Sequence, residues 1–196
     1  HTECRRQRQM CIRDSPYRKP EAPGIQFLHC LKNEVSGGFS TLVDGFSVAE
    51  YIKLNEPEAF ESLTKTNLRY RFQDKDIILE NWGELIELDK DGDYKQVRYS
   101  TRVDYVPPLE NEKLESFYKA RKLLGDLYTS SDFEIKFKLS PGDVMMFDNH
   151  RLLHGRTSYD SSEGARHLQG CYLEFDSTDG KLRHLHEKYH LSETNL

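Results

Sequence analysis

The chain has 196 residues, enough for one domain with a sizeable core, and its 28 Lys plus Arg against 33 Asp plus Glu leave a formal net charge of −5. That balance leaves no electrostatic footprint for nucleic acid, although local positive charge can still serve a small anion. Four scattered cysteines (Cys4, Cys11, Cys30, Cys171) do not make a disulfide scaffold, and no apolar run reaches the length of a membrane span, so neither a nucleic acid nor a membrane is expected as partner.

The chain opens on His1-Thr2-Glu3, and in a strand His1 and Glu3 would share a face. An opening on histidine reads as an N-terminally truncated piece of a longer chain, so a targeting signal or a further domain is expected upstream. Residues 4–13 are basic and follow neither structural period, and they read as an insertion foreign to the fold. Within them Cys4 and Cys11 lack the C-x-x-C spacing of a zinc or redox site. Asp14-Ser15-Pro16-Tyr17-Arg18 and Pro23-Gly24 form an extended, turn-rich lead-in.

Ile25 to Leu31 is a largely buried strand, with His29 read as a core histidine and not a metal ligand. Gly37-Gly38 and Asp44-Gly45 bracket a short strand, Ser40 to Val43. Ser47 and Glu50 have capping-box spacing ahead of a helix, and Pro57 restarts it. Leu68 to Phe72 alternates as a strand. Leu85 to Leu88 and Val97 to Tyr99 are strands joined by the acidic loop Asp89-Lys90-Asp91-Gly92-Asp93. Its glycine falls at position four, where a calcium loop needs it at six, so the loop is an ordinary hairpin. Asn111 to Tyr128 repeats apolar residues at threes and fours and is helical. Phe133 to Leu139 alternates as a half-buried strand.

After the turn signal Pro141-Gly142, Val144 to Phe147 reads as a short buried strand leading to His154-Gly155. Arg166 follows His154 by twelve residues and opens a last strand, running to Phe175, that could aim a guanidinium into the same interior. The charged tail from Lys181 holds His184, His186 and His190, read as structural or incidental.

Many short strands with few helices predict a mainly β fold with flanking helices, arranged as a jelly roll that encloses a site. One domain over 1–196 is expected. Two histidines and a carboxylate can form a facial triad on Fe(II), and a nearby arginine can clamp the carboxylate of a keto acid. A hydrolase fits poorly, since neither a Gly-x-Ser-x-Gly elbow nor a His-Glu-x-x-His helix is present.

Pro23-Gly24-Ile25-Gln26-Phe27-Leu28-His29-Cys30, Val43-Asp44-Gly45-Phe46, Pro141-Gly142-Asp143, Phe147-Asp148-Asn149, Arg151-Leu152-Leu153-His154-Gly155-Arg156 and Arg166-His167-Leu168 carry a more specific resemblance. Together they resemble the Fe(II)/2-oxoglutarate oxygenases of the taurine-dioxygenase-like superfamily, in the branch acting on gamma-butyrobetaine or trimethyllysine. The resemblance implies a double-stranded β-helix (cupin-like) with iron on a proximal His-x-Asp and a distal histidine. His1 matches the proximal histidine, His154 the distal one, and Arg166 the arginine on the distal carboxylate of 2-oxoglutarate. Tyr172 matches a tyrosine against the substrate's trimethylammonium group.

The proximal acid departs from the family pattern: Glu3 keeps the spacing from His1, while Asp14 keeps the residue type and the Pro-Tyr-Arg sequel. Both remain candidates for the metal carboxylate. His150 stands where the family has tryptophan, and Ser100 where relatives carry an asparagine-rich run. By resemblance the expected activity is hydroxylation of gamma-butyrobetaine to L-carnitine, with Fe(II), 2-oxoglutarate and O2 and with ascorbate as reductant. Trimethyllysine hydroxylation is the alternative, and a catalytically defective fragment or a non-enzymatic β-sandwich interaction module is the rival of another class. The same resemblance implies a zinc site in an upstream portion, a homodimer, and a cytoplasmic or else mitochondrial setting.

Overall fold

The computed structural model describes residues 15–19 and 22–189. Two three-stranded antiparallel sheets face each other. One has the order β11-β1-β9, from β1 (Ile25–Asn33), β9 (Val144–Asp148) and β11 (Arg166–Leu173). The other has the order β10-β2-β8, from β2 (Ser40–Asp44), β8 (Glu134–Phe137) and β10 (Leu152–Arg156). Between β2 and β8 the chain forms a second layer of α1 (Gly45–Asn55), α2 (Pro57–Lys65) and α3 (Asn111–Leu127). That layer also carries β3 (Leu68–Gln73), β4 (Ile78–Gly83), β7 (Asp104–Tyr105) and the hairpin of β5 (Ile86–Leu88) with β6 (Tyr94–Val97). A last helix, α4 (Phe175–Tyr189), follows β11 directly. No helix among the described residues is long and apolar enough to cross a membrane.

Strand alternation splits the buried residues into two cores. Val43 of β2 and Leu153 of β10, cross-strand partners, face the helical layer and join Val48, Ile52, Leu63, Phe117 and Leu124. Each such fully buried side chain contributes roughly 1.5–3 kcal/mol. The second core lies between the sheets: Cys30, Leu139, Met145 and Phe147, with Leu28, Leu42, Leu152 and Leu168 packed against them. In β10, Leu152, His154 and Arg156 therefore share the inter-sheet face, opposite Leu153.

The structure corrects several sequence expectations. Ser47 does not cap α1. The cap is Asp44, whose carboxylate accepts from the Phe46 and Ser47 N–H groups, which begins the helix three residues earlier. The second strand of the acidic hairpin is Tyr94–Val97, earlier than its apolar end suggested. Strands β4 and β7 were not anticipated, because polar residues interrupt their alternation. In β8 the buried side chain is Glu134, ion-paired to Lys136, while Ile135 is exposed. The run in β9 is buried on one face only, with Val144 and Met146 turned outward. Phe175 begins α4 and does not end β11; its ring meets the His150 ring edge-on.

Asp44 also receives Arg151 from the turn before β10, at 2.6 Å between Nη2 and the carboxylate. Burial works to raise the Asp44 carboxyl, but hydrogen bonds from Arg151 and Ser47 outweigh it and the net shift is downward. A depressed folded-state pKa contributes stability above the unfolded carboxylate value, near pH 4, that is lost as pH falls through the folded value. Asp44→Ala is expected to cost roughly 1–2 kcal/mol at neutral pH through the lost cap and ion pair. Thermal unfolding across pH should show the gap from the parent narrowing below about pH 4.

Candidate functional site between the sheets

The cross-strand register places the candidate residues. Phe147, Gln26 and Tyr172 form one rung across β9, β1 and β11. Met145, Leu28 and Gly170 form the next, then Cys30 with Leu168, and, past a register shift in β1 after Cys30, Asn33 with Arg166. Tyr172, Gly170, Leu168 and Arg166 alternate along one face of β11, and Leu168 packs into the inter-sheet core. From the opposite sheet the His154 ring lies 5.1 Å from the Phe147 ring. The His154 ring thus packs on the rung that holds Tyr172, while Arg166 opens the other end of β11; Arg156, two residues past His154 on the same face of β10, meets the Tyr159 ring that Arg166 also meets.

At that far end Arg166 donates from Nη2 to the Gly38 carbonyl at 3.2 Å, and its guanidinium lies 5.6 Å from the Tyr159 ring centroid. Its buried Nε has no hydrogen-bond partner, and Arg166 makes no ion pair among the described residues. Burial, and then the neighbouring Arg156 charge, shift its pKa downward, although a guanidinium stays protonated at any ordinary pH. Gly38 has φ +70°, and a Cβ there would come within 2.9 Å of Arg166 Nε. The glycine both makes the left-handed turn and leaves room for the guanidinium. A charged, half-buried arginine without a carboxylate partner in the described protein suits a bound anion.

Tyr172 is partly exposed, and its hydroxyl accepts from Gln26 Nε2 at 3.4 Å. His29 alternates to the outer face of β1, away from Leu28 and Cys30 and so away from His154. His184 and His186 lie on α4, a helix without a buried residue, while His190 lies outside the described residues. His150, at the tryptophan position, is buried in the turn before β10, 2.7 Å from Ala22 O through Nε2. The Ser100 carbonyl accepts from Arg121, which is also ion-paired with Asp104, so α3 holds the loop between β6 and β7.

His1, Glu3 and Asp14 lie outside the described residues, as does the whole 4–13 segment. Among the described residues no group of three His, Cys, Asp or Glu side chains could hold a metal ion. Of the site residues expected from the sequence, the described part holds His154, Arg166 and Tyr172, on the facing strands β10 and β11. Sequence reasoning gave no role to Arg156, Tyr159 or Gly38. Arg156 could have been found by strand period, two residues after His154, whereas Tyr159 sits in a loop without a periodic signal.

An imidazole on β10 and a guanidinium on β11 thus lie on the inter-sheet faces of two opposed β-sheets. The model of the taurine catabolism dioxygenase TauD, TfdA family matches residues 13–172. Gamma-butyrobetaine dioxygenase of Homo sapiens is 38% identical over 171 residues, covering 85% of this chain and 44% of the relative. The enzyme of that name from Pseudomonas sp. strain AK-1 is 33% identical, over 83% of this chain and 42% of its own length. Mitochondrial trimethyllysine dioxygenase of Bos taurus is 34% identical, covering 80% and 38%. The chain thus spans less than half the length of these curated relatives.

Among solved structures, AAD-2 in complex with Mn(II) and N-oxalylglycine superposes with a TM-score of 0.66 at 16% identity, covering 84% of this chain and 68% of that one. The non-heme iron oxygenase OrfP, in complex with Fe and alpha-ketoglutaric acid, gives 0.62 at 16% identity, covering 89% and 52%. These likenesses bear out the mainly β jelly-roll fold. The chain belongs to the TauD/TfdA dioxygenase family.

Proposed function

We propose that the chain is the catalytic part of an Fe(II)- and 2-oxoglutarate-dependent dioxygenase that hydroxylates gamma-butyrobetaine to L-carnitine. The observation that carries this reading is Arg166, a half-buried guanidinium with no carboxylate partner among the described residues, on the strand whose other end carries Tyr172. Family membership and the identity to gamma-butyrobetaine dioxygenases support it.

In this reading His154 holds iron together with His1 and a carboxylate from Glu3 or Asp14. Iron with 2-oxoglutarate, when bound, supplies the oxygen chemistry that oxidises an unactivated C–H bond. Arg166 fixes the distal carboxylate of the keto acid. Leu28, Leu42 and Phe147 keep water from the space between the sheets. The Tyr172 ring offers a π face to a quaternary ammonium, which has no proton to donate. Iron- and 2-oxoglutarate-dependent succinate release, stimulated by gamma-butyrobetaine, is the test. Equal or greater stimulation by trimethyllysine, which the bovine relative acts on by name, would assign the substrate to that reading. Succinate release independent of iron would remove both.

The sequence motivates one more expected result. Deleting residues 3–13 joins His1-Thr2 to Asp14-Ser15-Pro16, which restores a His-x-Asp spacing. If Asp14 is the ligand, removing the intervening residues spares roughly 2 kcal/mol of closure entropy, so Fe(II) should bind about thirtyfold more tightly. Weaker iron binding after the deletion would make the 4–13 stretch a working part of the protein, and separate Glu3→Ala and Asp14→Ala replacements would then decide which acid is the ligand.

A further inference from the structure

The rung that joins Phe147, Gln26 and Tyr172 has a primary amide at its centre. Gln26 is 2% exposed, and by strand period it shares the inter-sheet face of β1 with the apolar side chains of Leu28 and Cys30. Phe147 stands opposite it on β9 and Tyr172 opposite it on β11. A carboxamide in such a wall costs free energy unless its polar atoms are engaged, so packing alone does not account for it. Its Nε2 donates to the Tyr172 hydroxyl at 3.4 Å, across 146 positions of sequence. At that length, near the limit of hydrogen-bond reach, the contact constrains the ring more than it stabilises the fold.

The surroundings of Tyr172 give that constraint a purpose. The ring is 40% exposed, and the residue two before it on the same face of β11 is Gly170, which offers no side chain to pack along the strand. Leu28 occupies the space over that glycine, where an added Cβ would lie 3.3 Å from Leu28 Cδ2. On the far side of Gln26, the Phe147 ring carries the His154 ring at 5.1 Å. One rung therefore runs from the candidate iron ligand to Tyr172, and Gln26 stands between its two aromatic rings. Orientation decides what such a ring can bind, because its face is negative and attracts a cation while its edge is positive and repels one.

We propose that Gln26 is a positioning residue: its amide holds the Tyr172 phenol so that the ring presents its face, and not its edge, to a cationic trimethylammonium group. The inference rests on the reading of Tyr172 as the ring that meets the quaternary ammonium, and it adds a residue without an assigned role to that reading.

The test compares two ligands of one shape by calorimetry, anaerobically, with Fe(II) and 2-oxoglutarate present. Gamma-butyrobetaine carries the charge, and the carboxylate with a tert-butyl group in place of trimethylammonium lacks it. The parent is expected to prefer the betaine by about tenfold. Gln26→Met keeps the length of the side chain without the amide. It should bring that preference to within about threefold, with the neutral ligand bound as before. Tyr172→Phe cuts the same link from its other end and should do the same. The double variant should be no worse than either single one, since both remove one contact.

A folded Gln26→Met that keeps the parent's preference, or that weakens both ligands equally, overturns the inference. So does a double variant whose losses multiply. Should Gln26→Met not fold, Tyr172→Phe decides alone, and an unchanged preference there overturns the inference. Tyr172→Leu separates the inference from the reading beneath it: preference lost there but kept in Gln26→Met leaves Tyr172 as the ammonium residue without Gln26. A parent that binds neither ligand, or binds both alike, removes the inference and the Tyr172 reading together.

Discussion

His154→Ala is expected to abolish stoichiometric Fe(II) binding while the protein stays folded. The imidazole stands on the inter-sheet face of β10, and its packing there is to Phe147. The larger core that fixes β2 and β10 to the helices, built on Val43, Leu153 and Phe117, lies on the other side of the sheet and is untouched. Removing one of three ligands from a facial site should reduce bound iron from about one equivalent to near zero at micromolar concentration. Metal analysis after desalting, with circular dichroism beside it, decides the matter: iron retained at the parent's level would exclude His154 as a ligand. His29→Ala and His186→Ala provide the contrast. One alternates to the outer face of β1 and the other sits on a helix with no buried residue, so both should keep the parent's iron.

The second large effect is on the keto acid. Arg166→Leu should weaken 2-oxoglutarate binding by roughly 2–5 kcal/mol, between about thirtyfold and several thousandfold, because it removes one partner of a desolvated charge pair. Iron content should hardly change. The ligand-free protein should not be destabilised, and its thermal midpoint is expected to hold or rise. A half-buried guanidinium that among the described residues is bonded to the Gly38 carbonyl and lies 5.6 Å from the Tyr159 ring centroid costs desolvation energy that leucine does not. Lost affinity together with kept or improved stability is the mark of a residue retained for its ligand. A titration of the iron-loaded protein that gave the parent's 2-oxoglutarate affinity would place the anion elsewhere.

The parts of the fold legible in the sequence were those with an uninterrupted period or a sharp stop. β1, β3 and α3 follow their apolar patterns to within a few residues, and Pro57 starts α2 where a proline is tolerated. Asp44 was harder to recognise as a cap, because Ser47 and Glu50 offered a competing local signal. The long-range Arg151 contact and the strand immediately before it favour the earlier start. Strand β8 misled for a related reason. Its apolar residues alternate correctly, but Glu134 is paired with Lys136 and buried, an arrangement that alternation alone does not reveal. For the site, the sequence offered His154 beside a buried strand and Arg166 opening another that could reach the same interior, while the faces themselves are set by the register of β10 and β11. What local sequence could not supply was the meeting of Arg156, Arg166, Tyr159 and Gly38, since four separate segments converge there only after the sheets form.

The strand order has a consequence for biosynthesis. β1 lies between β9 and β11, and the hydrogen bond from Gln26 to Tyr172 joins residues 146 positions apart. At ribosomal rates of about 5–20 residues per second, the first strand waits roughly 7–30 s for its last neighbour to be made. During that interval Leu28 and Cys30, later enclosed between the sheets, have no completed sheet to cover them. Arg166 is made late, because it opens β11, the last strand among the described residues. On the proposed reading of Arg166, a nascent chain stalled before that point has the helical layer and His154 but gains no stability from the keto acid. Pulse-chase proteolysis of chains arrested after Arg156 and after Phe175 should therefore show protection by 2-oxoglutarate only in the longer one.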